Sequence, residues 1–194
     1  GLDISVACAG FVNSLMLADG MMKAGHAKNI LILCAEEPTK YCNWHERDCS
    51  VLFGDGAGAV VLTEGNAFKD VNLTMISDRD VLYYERGMEN TPFESTHVTG
   101  QPLVMKGKEL FRTAVSESAK DIQVILKRAH LSADDINWFM LHQANKRIIE
   151  GIRNIIGGPE EKYPTVIEKY GNTSSASIPI MLDEMLRDNK IHQG

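Results

Sequence analysis

The chain lacks any run of apolar residues long enough to cross a bilayer. A membrane-spanning helix needs about 20 consecutive, mostly apolar residues, and no stretch of the 194-residue sequence approaches that length. Low-complexity tracts and short repeats are missing too. The sequence therefore predicts a globular protein that has no membrane-spanning segment.

Cysteine is scarce and does not form a metal-binding pattern. The cysteines are Cys8, Cys34, Cys42 and Cys49, with no CxxC pair and no His/Cys cluster at zinc-ligand spacing. No signal peptide is recognisable, so we expect reduced thiols in a cytoplasmic protein. We expect no metal site.

Positive charge is in the minority. The chain has 20 Lys and Arg against 26 Asp and Glu, a formal net charge of −6. Affinity for nucleic acid comes largely from neutralising phosphates with basic side chains. The balance argues against a general nucleic-acid binder, although a local basic patch stays open.

Apolar runs and helical periodicities alternate along the chain. Short β-branched runs predict strands at 30–34, 58–63 and 138–141. Apolar stripes of helical period predict helices at 11–24, 109–130, 146–156 and 175–189. This alternation indicates an α/β architecture with a largely buried sheet. The Gly/Pro-rich residues 86–102 are predicted to connect two halves.

Cys8 lies where an apolar run meets a predicted helix. The unpaired N–H groups of a helix N terminus carry partial positive charge, which favours a thiolate and so a nucleophile. Taken alone, however, a cysteine at such a junction is more often a small buried hydrophobe. By contrast, Cys34 lies inside a predicted buried strand and is expected to be inert.

Two polar motifs follow later in the chain. His142 comes directly after the predicted strand at 138–141, where a sheet delivers side chains to a crevice. Asn172 follows a glycine and precedes several small residues, so its amide could donate to an oxyanion. The alternatives are a histidine satisfied by backbone carbonyls and an ordinary helix-capping asparagine.

The glycine-rich segment 53–59 resembles a dinucleotide loop only superficially. It precedes a predicted strand instead of joining a strand to a helix, so phosphate binding is poorly supported. We interpret it as a tight turn whose glycines serve packing.

Four motifs, taken in order, resemble the β-ketoacyl-acyl-carrier-protein synthase III family of condensing enzymes. They are the segments 7–11 (ACAGF), 52–59 (LFGDGAGA), 142–145 (HQAN) and 171–174 (GNTS). The resemblance implies a thiolase-like αβαβα sandwich of two similar halves, incomplete in this chain. Residues 1–85 would form the end of the first half, and residues 103–194 would form most of the second half. Residues 86–102 would connect the two halves. The chain opens on the approach to a strand and closes just after a predicted helix, where a strand would be expected, so we expect a fragment.

The resemblance also implies an activity and its residues. Cys8 would carry an acyl group taken from an acyl-CoA, with acetyl-CoA as the expected primer, while His142 and Asn172 would stabilise the enolate formed from malonyl-acyl-carrier protein. The basic residues Arg147, Arg112 and Arg47 match positions that engage the acidic carrier protein. The family needs no metal or organic redox cofactor, and its members are homodimers.

Alternatives remain at this stage. A related acyltransferase or specialised-metabolite synthase would use the same triad with a different acceptor. A catalytically inactive truncated chain could persist as a dimerisation module. Thiolase proper needs a second cysteine near the C terminus, and no cysteine follows Cys49.

Overall fold

The computed structural model describes residues 1–45, 47–84 and 103–192. Its helices are α1 (Gly10–Lys23), α2 (Arg47–Ser50), α3 (Gly107–Ala129), α4 (Lys146–Ile156), α5 (Ile167–Tyr170) and α6 (Ser177–Arg187). Its strands are β1 (Asn29–Glu36), β2 (Gly56–Thr63), β3 (Leu82–Tyr83) and β4 (Val104–Met105). Turns of 3-10 helix lie at Ala7–Ala9, Pro38–Tyr41, Ala133–Asp135, Glu160–Lys162 and Ser174–Ala176. The predicted connection at 86–102 lies outside the described residues.

The strands β1 and β2 pair antiparallel, with Asn29 opposite Thr63 and Glu36 opposite Gly56. One face of this pair is buried: Ile32 and Cys34 pack with Phe11 and Ala18 of α1 and with Ala176. The other face carries Leu31, Leu33 and Val61, which are 58%, 68% and 64% exposed. Cys34 is buried, as predicted.

The expected largely buried sheet is therefore wrong for this strand pair. Successive side chains of a strand point to opposite faces, and the helix α1 covers one face only. A continuous apolar run predicts a strand equally well whether one face or both are covered. The run alone could not decide the burial.

The predicted long helices are confirmed with small shifts at their ends. The helix α4 begins with a cap in which Asn145 Oδ1 accepts a hydrogen bond from the Arg147 N–H at 2.9 Å, and it ends at Gly157, whose φ is 92°. The helix α3 ends at His130 in the left-handed conformation, with a φ of 56°. Within the ranges given above, no helix is long and apolar enough to span a membrane.

The strand predicted at 138–141 is not formed. In the described part of the chain no strand pairs with this segment; its Phe139 N–H donates instead to the Lys162 carbonyl at 2.7 Å. The Phe139 ring stacks on Tyr163 with centroids 4.7 Å apart. The apolar run therefore packs into a local core with Ile149 of α4. This packing does not require hydrogen bonds to a neighbouring strand.

Candidate active site

Cys8 sits in a single 3-10 turn, Ala7–Ala9, that leads directly into α1. The preceding residue, Ala7, has a φ of 46°. A non-glycine residue in this left-handed region typically costs about 1–3 kcal/mol and persists where its surroundings enforce it. The chain therefore holds the thiol in a strained turn at the start of a helix.

The surroundings of Cys8 raise its pKa. Burial makes the largest contribution, a hydrogen bond with the Ser174 side chain acts in the opposite direction, and the negative charge of Glu36 raises the pKa further. The N terminus of α1 favours a thiolate, whereas burial and the Glu36 charge favour the neutral thiol of Cys8.

Asn172 is fixed by the glycine-rich turn. Its N–H donates to the Leu52 carbonyl at 2.7 Å, and its carbonyl accepts from the Gly54 N–H at 3.1 Å. Phe53 and Asn172 form a parallel bridge. This backbone contact joins residues that are far apart in the sequence.

Two glycines make this contact sterically possible. A Cβ at Gly54 would lie 2.1 Å from the Tyr170 carbonyl oxygen. Gly171 has a φ of 69°, and a Cβ there would lie 3.0 Å from the Leu52 carbonyl oxygen. The interpretation of the glycine-rich segment as a packing turn agrees with these contacts.

The Asn172 side chain is oriented by its own backbone. It is 6% exposed, and its Oδ1 accepts a hydrogen bond from the Ser174 N–H at 2.9 Å. With Oδ1 engaged, the Nδ2 group is the donor end of the amide. The arrangement suits Asn172 to stabilise a developing negative charge.

His142 Nδ1 lies 2.7 Å from Ser177 Oγ. Its Nε2 is buried and has no hydrogen-bond partner among the residues that the structure describes. Burial lowers the pKa of His142 to about 4, so the ring is neutral at physiological pH. A neutral imidazole can donate a hydrogen bond from one of its two ring nitrogens.

Gln143, fully buried beside His142, was not singled out from the sequence. Its Nε2 donates to the Leu141 carbonyl at 2.9 Å, and its Oε1 accepts from the Val166 N–H at 3.0 Å. These bonds tie the loop that carries His142 to the segment before α5. The signal for Gln143 in the sequence was its place in the motif 142–145 (HQAN).

One short segment, 172–177, contacts or contains each of the three predicted catalytic residues. It contains Asn172, its Ser174 bonds to Cys8, and its Ser177 contacts the His142 ring. The three serines of this segment are 1% to 5% exposed. Sequence reasoning took them as small residues and missed these contacts, because each contact is made to a distant part of the chain.

Glu36 is a further residue that the sequence did not reveal. It ends β1, and its carboxylate accepts a hydrogen bond from Ser175 Oγ. Its charge acts on both Cys8 and Cys34.

The three predicted basic residues line one cavity of roughly 670 Å³. Arg47, Arg112 and Arg147 are exposed there, joined by Lys108, and the Arg147 guanidinium lies 5.9 Å from the centre of the Phe111 ring. Apolar side chains, among them Leu52 and Ile148, supply the rest of the wall. The chain is acidic as a whole but concentrates positive charge at this opening.

The sequence matches the family described as 3-oxoacyl-[acyl-carrier-protein] synthase III over residues 2–78 and the C-terminal part of the same family over residues 126–194. The chain belongs to this synthase III family. A β-ketoacyl-[acyl-carrier-protein] synthase III of Aquifex aeolicus is 39% identical over 193 residues, which are 99% of this chain and 59% of that protein.

Two solved structures share the fold of this chain. The Thermus thermophilus β-ketoacyl-[acyl-carrier-protein] synthase III superposes with a TM-score of 0.86 at 32% identity, over 100% of this chain and 61% of that one. The priming β-ketosynthase of the R1128 polyketide pathway gives 0.85 at 31% identity, over 100% of this chain and 59% of that one. The fold is thiolase-like, as predicted, and this chain spans about 60% of the length of these structures.

Proposed function

We propose that the protein is a β-ketoacyl-acyl-carrier-protein synthase III, which starts fatty-acid synthesis by a decarboxylative Claisen condensation. The observation that carries the proposal is the segment 172–177, which contacts Cys8 and His142 and contains Asn172. A thiol, a neutral imidazole and an amide donor at one place suit acyl transfer followed by enolate chemistry.

In the first half-reaction the Cys8 sulfur attacks the thioester carbonyl of an acyl-CoA. The new C–S bond forms as the bond to CoA breaks, and the thiol proton leaves with CoA. Because the pKa of Cys8 is raised, chiefly by burial, the thiol is the resting form, and the thiolate develops only as the substrate arrives.

In the second half-reaction malonyl-acyl-carrier protein loses CO₂, and the electron pair of the broken C–C bond passes into an enolate. His142 Nε2–H and Asn172 Nδ2–H donate hydrogen bonds to the enolate oxygen. The carbanion then attacks the acyl carbon on Cys8, and the Cys8 thiolate departs. Loss of CO₂ drives the sequence, so we propose no metal or redox cofactor.

The cavity lined by Arg47, Lys108, Arg112 and Arg147 suits phosphorylated substrates. Both CoA and the phosphopantetheine arm of a carrier protein carry phosphate, and carrier proteins are acidic. Arginine binds phosphate through bidentate hydrogen bonds, and a basic opening on an acidic chain steers acidic partners toward it.

Acyl transfer tests the first half-reaction. The complete gene product is incubated with radiolabelled acetyl-CoA, and the labelled peptide is identified. We expect label on Cys8 in the wild type and in the matched Cys42→Ser variant, and none in Cys8→Ala. Label on another residue, or label retained in Cys8→Ala, contradicts the proposal.

The rate of decarboxylation of malonyl-acyl-carrier protein tests the second half-reaction. Asn172→Ala removes one donor to the enolate, and a loss of about 10²–10³-fold in rate is expected. Asn66→Ala, at an exposed loop position, is the matched control and retains the rate. Equal rates in the two variants would remove Asn172 from the mechanism.

Carrier-protein affinity tests the basic cavity. Arg147→Ala is expected to weaken binding of the acyl-carrier protein and to flatten its salt dependence, because one screened charge contact is lost. Lys127→Ala removes an exposed cation of α3 that does not line this cavity. It should leave the affinity unchanged; equal losses would mean that the partner docks elsewhere.

The likeness to the R1128 priming synthase favours a second candidate, a specialised-metabolite synthase with the same triad. Competition among acyl-CoA primers distinguishes the two. Preference for acetyl-CoA supports the fatty-acid role, and preference for a longer or branched primer supports the alternative.

We further propose a cytoplasmic homodimer, as the family resemblance implies. Sedimentation equilibrium of the complete gene product measures the assembly. A monomer at micromolar concentration would contradict it.

A further inference from the structure

Ser177, the first residue of α6, has a part in this site beyond packing. It is 1% exposed, and its hydroxyl oxygen meets two groups of the His142 loop. The His142 Nδ1 atom lies 2.7 Å away, and the Gln143 N–H donates to it at 3.3 Å.

The hydrogen atoms of this arrangement follow from the donor and acceptor inventory. A serine hydroxyl has one proton to donate and two lone pairs that accept. The Gln143 N–H occupies one lone pair of Ser177 Oγ. The Ser177 hydroxyl proton still needs an acceptor. Over the described ranges, His142 Nδ1 is the acceptor that the structure provides for this proton.

The opposite tautomer is poorly accommodated. If Nδ1 carried the proton, Ser177 Oγ would accept two hydrogen bonds and its own proton would lack a partner in a buried place. A buried polar hydrogen without a partner is costly. Nε2 of His142 lacks a protein partner among the described residues in either tautomer, so the unpaired Ser177 proton is an added cost of the opposite tautomer. The hydroxyl therefore favours an unprotonated Nδ1.

We propose that Ser177 is a positioning residue that holds neutral His142 in the tautomer with its proton on Nε2. This atom is buried and faces no protein acceptor in the part of the chain described, so its proton is available to a substrate oxygen. The inference rests on the proposed function, because an enolate oxygen needs a donor at Nε2.

The tautomer is read directly by nuclear magnetic resonance. The complete gene product is labelled with ¹⁵N-histidine, and the His142 ring signals are assigned by their loss in His142→Gln. At neutral pH we expect a pyrrole-type Nε2 and a pyridine-type Nδ1. The reverse pattern overturns the proposal without any variant.

Three variants separate positioning from simple packing. Ser177→Ala removes the hydroxyl and should let the two tautomers mix, whereas Ser177→Thr keeps the hydroxyl and should retain the wild-type tautomer. Ser175→Ala is the matched control, since Ser175 is 4% exposed and bonds to Glu36 instead of His142. It should leave the tautomer unchanged.

The half-reactions give a second readout. Ser177→Ala should slow decarboxylation of malonyl-acyl-carrier protein by about 10- to 100-fold, the loss seen when the orienting partner of a histidine is removed at metal sites, and slow acetylation of Cys8 by less than about threefold. If Ser177→Ala slows both half-reactions equally, the proposal is overturned. It is also overturned if the rate of decarboxylation does not change. Because the tautomer is measured without turnover, an inactive wild type would count against the proposed function alone.

Discussion

At the residue scale, Cys8 shows that one sequence feature can act in two directions. The junction of a turn and a helix places the thiol near the N terminus of α1, which favours a thiolate. The same junction buries the thiol and sets it near Glu36, and the pKa of Cys8 is raised as a result. Burial depends on the folded surroundings, so the direction of the shift was not readable from the motif.

Glu36→Gln should make Cys8 more reactive. Burial is the main cause of the raised pKa and remains, but removal of the Glu36 charge removes a second cause. The pH midpoint of iodoacetamide modification at Cys8 is expected to move to lower pH. Cys34, which is 5% exposed, should stay unmodified. Glu37→Gln, an exposed carboxylate paired with Lys40, is the control; an equal shift there would refute the assignment to Glu36.

His142 should make the fold sensitive to acid. Burial holds its folded pKa at about 4, below the value of about 6.5 for an unfolded chain. As the pH falls, the unfolded state therefore binds a proton before the folded state does. The free energy of unfolding decreases between about pH 6.5 and pH 4. The contribution amounts to roughly 3 kcal/mol at the acid end.

Urea unfolding between pH 7 and pH 4 measures how the free energy of unfolding depends on pH. His142→Gln should lose that part of the pH dependence, while His26→Gln, at an exposed position, should keep it. A pH dependence equal to wild type in His142→Gln would show that other groups carry the acid sensitivity.

At the scale of elements, the periodic helices and the strands β1 and β2 could be predicted, but the fate of the apolar run at 138–141 could not. The stripe of α3 and the capping residues of α4 are local, so the sequence contains most of what determines them. The segment 138–141 has an equally strong apolar run, yet its Phe139 stacks on Tyr163 instead of joining a ladder. Whether a run pairs depends on what lies beside it in space.

The predicted triad of Cys8, His142 and Asn172 stays a prediction, although the segment 172–177 contacts or contains all three. The motifs pointed to these residues because each has an unusual local setting. Ser177 and Glu36 have ordinary local settings, and their contacts in the site are made to residues distant in the chain. No local pattern marks such residues.

Gly54→Ala should break the contact that holds Asn172. The added Cβ would lie 2.1 Å from the Tyr170 carbonyl oxygen, and backbone has little freedom to move. We expect a loss of about 2–4 kcal/mol in the free energy of unfolding. Gly65→Ala, where a Cβ meets open space, should cost less than about 1 kcal/mol. Similar costs at both positions would mean that the turn adapts.

At the scale of the whole molecule, the two faces of the β1–β2 pair should respond differently to the same substitution. Ile32 is 6% exposed and Leu33 is 68% exposed. Ile32→Ser should cost about 3 kcal/mol or more in the free energy of unfolding of this chain, since it leaves a cavity and buries a hydroxyl. Leu33→Ser should cost less than about 1 kcal/mol and lower any self-association, because exposed apolar patches promote it.

Chemical denaturation measures the free energy of unfolding of each variant, and light scattering at increasing protein concentration measures self-association. If Leu33→Ser proved as costly as Ile32→Ser, the exposed face would be covered in solution. Unchanged scattering with low cost would show that this face does not mediate association.

The bridge between Phe53 and Asn172 also has a kinetic consequence. Contacts between residues far apart in sequence require closure of a long loop, which slows folding. A nascent chain can form α1 and the Cys8 turn early, but the amide of Asn172 takes its place only when the C-terminal segment docks on the glycine-rich turn. Under the proposed mechanism, a half-folded chain would therefore carry the Cys8 thiol before the groups that stabilise an enolate are in place.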